Sequence, residues 1–200
     1  MPMHRLLSLF ALSILAACGP GEDRPAYTAA PGGSAPATVG APQPAADTTW
    51  ALRFDGAGPL RIGMTVDEAR AALGGDFQPD GQAVGTVDGP QGCQYARSGR
   101  LPEGMMVMLE GARVVRVEVD SGNVATVEGG RIGDSETRIQ QTYQGRVEVQ
   151  PHKYTDGHYL IVRPADGDTT RQLIFETDGS RVLRFRAGQH PQVGYVEGCS

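Results

Sequence analysis

Two blocks of this chain occur twice, and this duplication limits the possible folds more than any other property of the sequence. Residues 61–65 (RIGMT) recur as residues 131–135 (RIGDS), and residues 110–117 (EGARVVRV) recur as residues 178–185 (DGSRVLRF). The shared order and spacing favour a repeated unit of about 70 residues over two chance Gly-Arg patterns. We therefore predict two tandem repeats, residues 50–129 and 130–200, that form one composite domain.

Each repeat predicts a short helix directly after its first block. Thr65 and Glu68 have the spacing of a capping box, and two glycines predict the helix end after Leu73. In the second repeat an arginine takes the place of the glutamate, so that Ser135 alone is left to cap. The predicted apolar faces are Val66, Ala69 and Leu73 in the first helix, and Ile139 and Tyr143 in the second.

Strands are predicted after each helix. Residues 105–109 and 113–119 flank one Gly-containing turn, and residues 172–176 and 181–186 flank another, which indicates two hairpins. Strict alternation places Val115, Val117, Val119, Leu183 and Phe185 on one face, and Arg116, Arg184 and Arg186 on the other. The prediction is an α+β fold in which each repeat is a capped helix plus an antiparallel meander, with the helices packed on one sheet face and the other face exposed to solvent.

The N-terminus has the pattern of an export signal. Arg5 precedes a predominantly apolar, uncharged run over residues 6–15, which is too short to span a membrane as a stable helix. The run ends in Leu15-Ala16-Ala17-Cys18, which resembles the lipobox of bacterial lipoproteins. This resemblance implies that residues 1–17 are removed and that Cys18 is acylated. A plain secretory signal or an apolar first helix of a domain are the alternatives.

Residues 18–49 are predicted to be a disordered tether. Between positions 19 and 49 the chain has 8 Ala, 6 Pro and 5 Gly, and almost no large apolar residue that could favour folding. A flexible chain of this length would hold the domain roughly 30 Å from the lipid. Gly19 is not the aspartate associated with inner-membrane retention, so we expect an outer-membrane lipoprotein that faces the periplasm.

A family resemblance is carried by the sequence Ile62-Gly63-Met64-Thr65-x-x-Glu68, the Leu73-Gly74 helix end, the repeat and the lipobox. Together they resemble the β-lactamase-inhibitor-protein-like superfamily, whose lipoprotein branch includes the BamE (SmpA/OmlA) subunits of the outer-membrane assembly machine. The resemblance covers residues 50–200 by architecture. It implies binding to other proteins through the exposed sheet face and loops, rather than catalysis.

Two cysteines remain once Cys18 carries lipid. We expect Cys93 and Cys199 to form a disulfide, because the predicted compartment oxidises thiols and the pair lacks the C-x-x-C spacing of a reactive dithiol. This bond would fix the C-terminus to the first repeat.

The most distinctive segment of the second repeat is residues 151–159 (PHKYTDGHY). His152 and His158 could be drawn with Asp156 as a metal or general-base site, but the spacing lacks a third firm ligand, and we predict no metal. Amphipathic side chains of this kind also anchor protein interfaces. Alternatively, the side chains at positions 159–162 could form the core of a central strand. The candidate binding residues are His152, Lys153, Tyr154, His158, Tyr159, Arg116, Arg184 and Arg186.

These patterns favour a non-enzymatic envelope lipoprotein that binds another macromolecule, and a protein is the expected partner. The net charge is −5 and the Lys and Arg residues do not cluster in a block, so nucleic acid is not an expected partner. No motif indicates a cofactor. A glycan-binding module with sugars stacked on Tyr154 or Tyr159 is one alternative. A diverged hydrolase is another, although no Gly-x-Ser-x-Gly motif is present.

Overall fold

The structure, a computed structural model, describes residues 45–84 and 92–199, with backbone alone at residues 82–84. In that part of the chain, strands dominate and form two sheets. The smaller sheet consists of β1 (Asp47–Arg53), β2 (Gly56–Ala57), β3 (Leu60–Arg61) and β8 (Val124–Thr126). The larger sheet consists of β4 (Gln78–Val84), β5 (Cys93–Arg97), β6 (Met105–Glu110), β7 (Arg113–Val119), β9 (Val147–Pro151), β10 (His158–Val162), β11 (Arg171–Thr177) and β12 (Val182–Gln189).

Two α-helices, α1 (Val66–Ala72) and α2 (Glu136–Thr142), each have seven residues, and a short 3₁₀ helix spans Gln192–Gly194. No helix of the described ranges is long and apolar enough to cross a membrane.

The predicted signal sequence, Cys18 and the tether up to residue 44 lie outside the described residues. Strand β1 begins within the last residues of the segment that we expected to be tether.

The predicted fold class is wrong. The described chain is mostly β, with about 45% of residues in strands and two helices of two turns each, and it is not an α+β fold with helices packed on a sheet. The sequence pattern identified two hairpins, whereas the structure adds a second sheet in which β1 pairs in parallel with β8. A parallel pairing of segments so far apart has no local sequence signal, because neither turn residues nor alternation specifies the partner.

The larger sheet consists of two halves with the same order of elements. Its strand order is β4-β5-β6-β7-β12-β11-β10-β9, with antiparallel neighbours throughout, so that the two halves meet where β7 pairs with β12. In each half a helix precedes four consecutive strands of this sheet. This arrangement agrees with the duplication, which stays a prediction.

The duplicated Ile-Gly blocks make the same contacts in both halves. Gly63 N–H donates to the Val114 carbonyl at 2.7 Å, and Gly133 N–H donates to the Val182 carbonyl at 2.9 Å. Both glycines have positive φ, 93° and 85°, a conformation that costs little for glycine alone. An arginine that follows each Gly-containing turn, Arg113 or Arg181, donates to the carbonyl of the corresponding glycine at 2.8 Å.

The predicted helix caps are confirmed. Thr65 Oγ1 accepts a hydrogen bond from Glu68 N–H at 3.2 Å, and the Glu68 carboxylate accepts one from Thr65 N–H at 2.8 Å. Ser135 Oγ accepts from Arg138 N–H at 3.2 Å without the reciprocal bond. The helices contribute Ala69, Leu73, Ile139 and Tyr143 to the main core.

Strict alternation fails at one equivalent position in each half. The register of β6 with β7 shifts between Met108 and Leu109, and the register of β11 with β12 shifts between Glu176 and Thr177. Each shift is a β-bulge, which adds one residue to a strand and reverses the faces beyond it. As a result Val114 and Val182 occupy the main core, whereas Val115 lies in a separate cluster and Leu183 is exposed, in contrast to the prediction.

The C-terminal segment, residues 190–199, covers part of the face of the larger sheet opposite the main core. We call this part the covered face. The predicted disulfide between Cys93 and Cys199 is present, with 5.4 Å between the Cα atoms, and it attaches the end of this segment to β5. Val193 and Val196 of the segment pack against Tyr159, Ile161 and Ile174. The expectation that this sheet face is open to solvent is therefore wrong.

Candidate binding surface

Arg116 lies beneath the C-terminal segment and not on an open surface. Its guanidinium donates to the main-chain carbonyls of Tyr195 at 2.7 Å and Gln192 at 3.3 Å. The same group donates to Glu118 and, at 3.2 Å, to the Tyr95 hydroxyl. Only 3% of Arg116 is exposed, so its predicted place in an exposed arginine row is wrong. The neighbouring strand β12 brings Arg186 alongside, because Arg186 pairs with Glu118 in the register.

Arg186 holds the segment in a similar way. Its Nε donates to the Val193 carbonyl at 2.8 Å, and its Nη1 donates to Glu176 at 2.7 Å. Burial lowers the pKa of Arg186 and the charge of Arg116 adds to this, while Glu176 and Glu118 oppose it. Arg186 is buried like Arg116, and the prediction that it is exposed is also wrong.

Tyr95 completes the buried polar network. Its hydroxyl donates to Glu118 at 2.8 Å. Burial, together with the nearby Glu118 carboxylate, raises the pKa of Tyr95 to about 12. The phenol therefore keeps its proton and satisfies a carboxylate that would otherwise be costly to bury.

Glu176 connects the two groups of candidate residues that the sequence analysis kept apart. It accepts a hydrogen bond from His152 Nε2 at 2.9 Å, pairs with Arg186, and lies 3.9 Å from Arg184 Nε. Burial alone would raise the pKa of Glu176, but the hydrogen bonds from His152 and Arg186, together with the arginine charges, lower it overall. The carboxylate is therefore charged near neutral pH and draws these side chains together.

His152 has a structural role. Its Nδ1 accepts hydrogen bonds from the backbone N–H groups of Tyr154 at 3.1 Å and Thr155 at 3.2 Å, which assigns the proton to Nε2. Its ring stacks on Tyr159 with 4.5 Å between the centroids. Tyr159 is 8% exposed and belongs to the core of the covered face. The interpretation of Tyr159 as a strand core residue is confirmed, and its ring is not available as an exposed platform for a sugar.

His158 is directed away from His152. Its Nδ1 lies 2.8 Å from Glu136, the first residue of α2, whereas His152 contacts Glu176 on the covered face. The two imidazoles therefore lie on opposite sides of the sheet and do not form the metal or general-base site considered from the sequence. In the described ranges, no three His, Cys, Asp or Glu side chains are grouped in a way that could hold a metal.

Three of the candidate residues remain exposed beside this buried network. More than half of each side chain is accessible in Lys153, Tyr154 and Arg184. Lys153 Nζ lies 4.8 Å from the centre of the Tyr154 ring and 3.5 Å from Glu197, and the Tyr154 hydroxyl donates to Glu197. We call Lys153, Tyr154, Arg184 and Glu197 the exposed surface.

Sequence reasoning missed Glu176 and Glu197. Glu176 was detectable in principle, because an antiparallel hairpin around Asp178-Gly179 places it across from Arg184 once the bulge is allowed for. Glu197 had no sequence signal. It reaches Lys153 and Tyr154 because the disulfide and the two buried arginines fix the course of the C-terminal segment.

Comparisons with known proteins add little to this geometry. No family model matches the chain, and no curated protein matches it. Among solved structures, the chain is similar to the uncharacterized protein YfeY from Escherichia coli, at 14% identity and a TM-score of 0.39. The match covers 70% of this chain and 99% of that protein. A likeness at this level carries no argument about fold or function.

Proposed function

We propose that this chain is a non-enzymatic lipoprotein of the cell envelope, anchored through acylated Cys18, whose domain binds another protein through the exposed surface. The export part of the proposal is supported by the Cys93–Cys199 disulfide, because such bonds persist in oxidising compartments outside the cytoplasm. Gly19 after the modified cysteine favours the outer membrane, with the domain in the periplasm.

The binding part is supported mainly by one observation, the exposure of Tyr154 and Arg184 next to a buried hydrogen-bonded network. Tyr and Arg are the residue types that most often carry binding energy at protein interfaces. Tyr154 is held by Glu197 and its backbone by His152, and Arg184 lies beside Glu176. Side chains positioned before binding lose less conformational entropy when a partner is bound.

A glycan ligand is less favoured than a protein by the same geometry. Stacking on sugars needs an accessible aromatic ring, and of the two tyrosines considered for this role Tyr159 is buried against His152. Tyr154 is left, and its ring is already covered on one side by Lys153. We therefore keep the protein partner as the proposal.

The anchor is tested by Cys18→Ser. We expect the variant to lose lipid modification and to remain unprocessed by the lipoprotein pathway or to appear as soluble material, because the thiol that accepts the lipid is removed. Mass spectrometry of the wild-type N-terminal peptide and membrane fractionation are the measurements. A wild-type N-terminus without acyl mass, together with unchanged fractionation of the variant, would contradict the anchor.

The exposed surface is tested by Arg184→Glu and Tyr154→Ala, against a partner captured by crosslinking in living cells. Each change should weaken binding of that partner by about 30-fold, which corresponds to the loss of about 2 kcal/mol expected for a central interface residue. The melting temperature should change little for the exposed Tyr154→Ala, and should fall slightly for Arg184→Glu, because the new carboxylate lies across from Glu176.

Arg100→Glu is the matched control for the charge reversal. Arg100 is an exposed arginine in the turn between β5 and β6, in the other half of the larger sheet. It should leave affinity unchanged. If all three variants bind alike and the two surface variants instead lose several degrees of melting temperature, Tyr154 and Arg184 are structural and the proposed surface is wrong.

A further inference from the structure

A groove lies between the C-terminal segment and strands β9–β11, next to the exposed surface but separate from it. It has a volume of about 420 Å³, within the range of small-molecule sites. Its apolar wall is formed by Ile161 and Ile174 of the sheet and Val196 of the segment. The groove is therefore large enough and apolar enough to hold an alkyl chain.

The polar lining of the groove has one sign of charge. Arg163 and Arg186 carry this charge, and the polar groups of His190, Gln150 and Gln172 complete the lining. Among the described residues that line the groove there is no carboxylate. The acids that pair with these arginines, Glu148 and Glu176, lie outside the lining. Gln150 and Arg163 both donate to Glu148, so a negatively charged ligand would meet the remaining N–H groups of Arg163.

Tyr159 supplies a second, independent observation. Its side chain lines the groove and is more than nine-tenths buried, and its hydroxyl has no hydrogen-bond partner among the described residues. A buried hydroxyl without a partner costs stability, and a ligand in the groove would supply the missing hydrogen-bond acceptor. Arg163 at the rim is half exposed and has N–H groups beyond the one that pairs with Glu148.

We propose that this groove binds a small amphipathic carboxylate, that is, a carboxylate group on an alkyl chain. The alkyl chain packs against Ile161, Ile174 and Val196, and the carboxylate accepts hydrogen bonds from the Tyr159 hydroxyl and Arg163. This site does not depend on the proposed protein surface, since Lys153, Tyr154 and Arg184 do not line the groove.

The test uses octanoate, octanol and octylammonium, which share one alkyl chain and differ in head-group charge. Each is titrated into the chain purified as Cys18→Ser, and binding is followed by two-dimensional NMR of the backbone amides. We expect saturable shifts for octanoate around residues 159–163 and 190–196, with octanoate binding about tenfold more tightly than octanol and octylammonium binding least.

Tyr159→Phe removes the hydroxyl alone and should weaken octanoate binding by about tenfold. Its melting temperature should not fall, because the lost hydroxyl has no partner in the described structure. Tyr154→Phe is the matched control, since that hydroxyl contacts Glu197 outside the groove, and it should bind octanoate like the wild type. Arg163→Gln, at the exposed rim, should weaken octanoate binding several-fold and leave octanol unchanged.

Gly194→Leu gives a further check, because Gly194 lines the groove and a Cβ atom there meets nothing within 4 Å. We expect this variant to fold normally and to bind octanoate poorly. The proposal is overturned if octanoate gives no saturable shifts, if the three head groups bind alike, or if Tyr159→Phe and Arg163→Gln both bind octanoate with wild-type affinity.

Discussion

Replacing Cys93 and Cys199 together with serine is expected to lower the free energy of unfolding by about 4.7 kcal/mol, the largest effect we predict. The disulfide joins residues 106 positions apart, and on the chain-entropy model closing a loop of this size restricts the unfolded chain by about that amount. The double substitution avoids an unpaired thiol. For a folded region of this size, the melting temperature should fall by roughly 10–20 °C.

Urea unfolding of oxidised wild type, reduced wild type and the double variant measures this effect. The reduced protein and the double variant should agree within about 1 kcal/mol, because both lack the same constraint. The C-terminal segment should also become more accessible to protease in both, as the bond attaches its end to β5. A double variant as stable as the oxidised wild type would show that the bond contributes nothing to the fold.

Arg116→Met is expected to cost about 3–5 kcal/mol, the range for breaking a buried ion pair from one side. The substitution leaves the Glu118 carboxylate buried with a single strong donor, Tyr95, and it leaves the carbonyls of Gln192 and Tyr195 without their charged donor. The methionine fills most of the space, so the loss reports on charge and hydrogen bonding more than on packing.

Arg184→Met is the matched control for that experiment. It makes the same substitution on the same sheet face, but at an exposed side chain whose contact with Glu176 is long, at 3.9 Å. It should therefore lower the free energy of unfolding by less than about 1 kcal/mol. The double variant Arg116→Met/Glu118→Leu should recover part of the loss, since it removes the uncompensated carboxylate. An Arg116→Met protein within about 1 kcal/mol of the wild type would contradict the assigned role of this pair.

The parts of the fold that the sequence predicted are those with local causes. Thr65 and Glu68 interact three residues apart, and the turns at Gly111 and Gly179 need a residue that accepts positive φ, so both features can be recognised from short segments. The disulfide was predictable by elimination, because the predicted acylation of Cys18 leaves two cysteines in a compartment predicted to be oxidising. The bulges at Val115 and Leu183 break the alternation without any change in residue type that would reveal them.

The sequence predicted the residues of the candidate site, but it did not predict which of them are buried and which are exposed. Arg116, Arg184 and Arg186 alternate along strands and share a face as expected, but alternation does not show whether that face is covered. The covering segment, residues 190–199, has no strand or helix pattern of its own, and its position follows from long-range contacts to Arg116, Arg186 and Cys93. Alternation likewise does not show that His152 and Tyr159 are buried whereas Tyr154 is exposed.

Photo-crosslinking in intact cells tests most directly whether the domain binds a protein through the exposed surface. A benzophenone amino acid is placed at the exposed position 155, directly after Tyr154, in one strain and at position 100 in another, with Cys18 unchanged in both. We predict a discrete crosslinked protein from position 155, none from position 100, and loss of the first crosslink when Arg184→Glu is added to the same chain. The same crosslinks from both positions, or a crosslink from position 155 that Arg184→Glu leaves unchanged, would contradict the proposal.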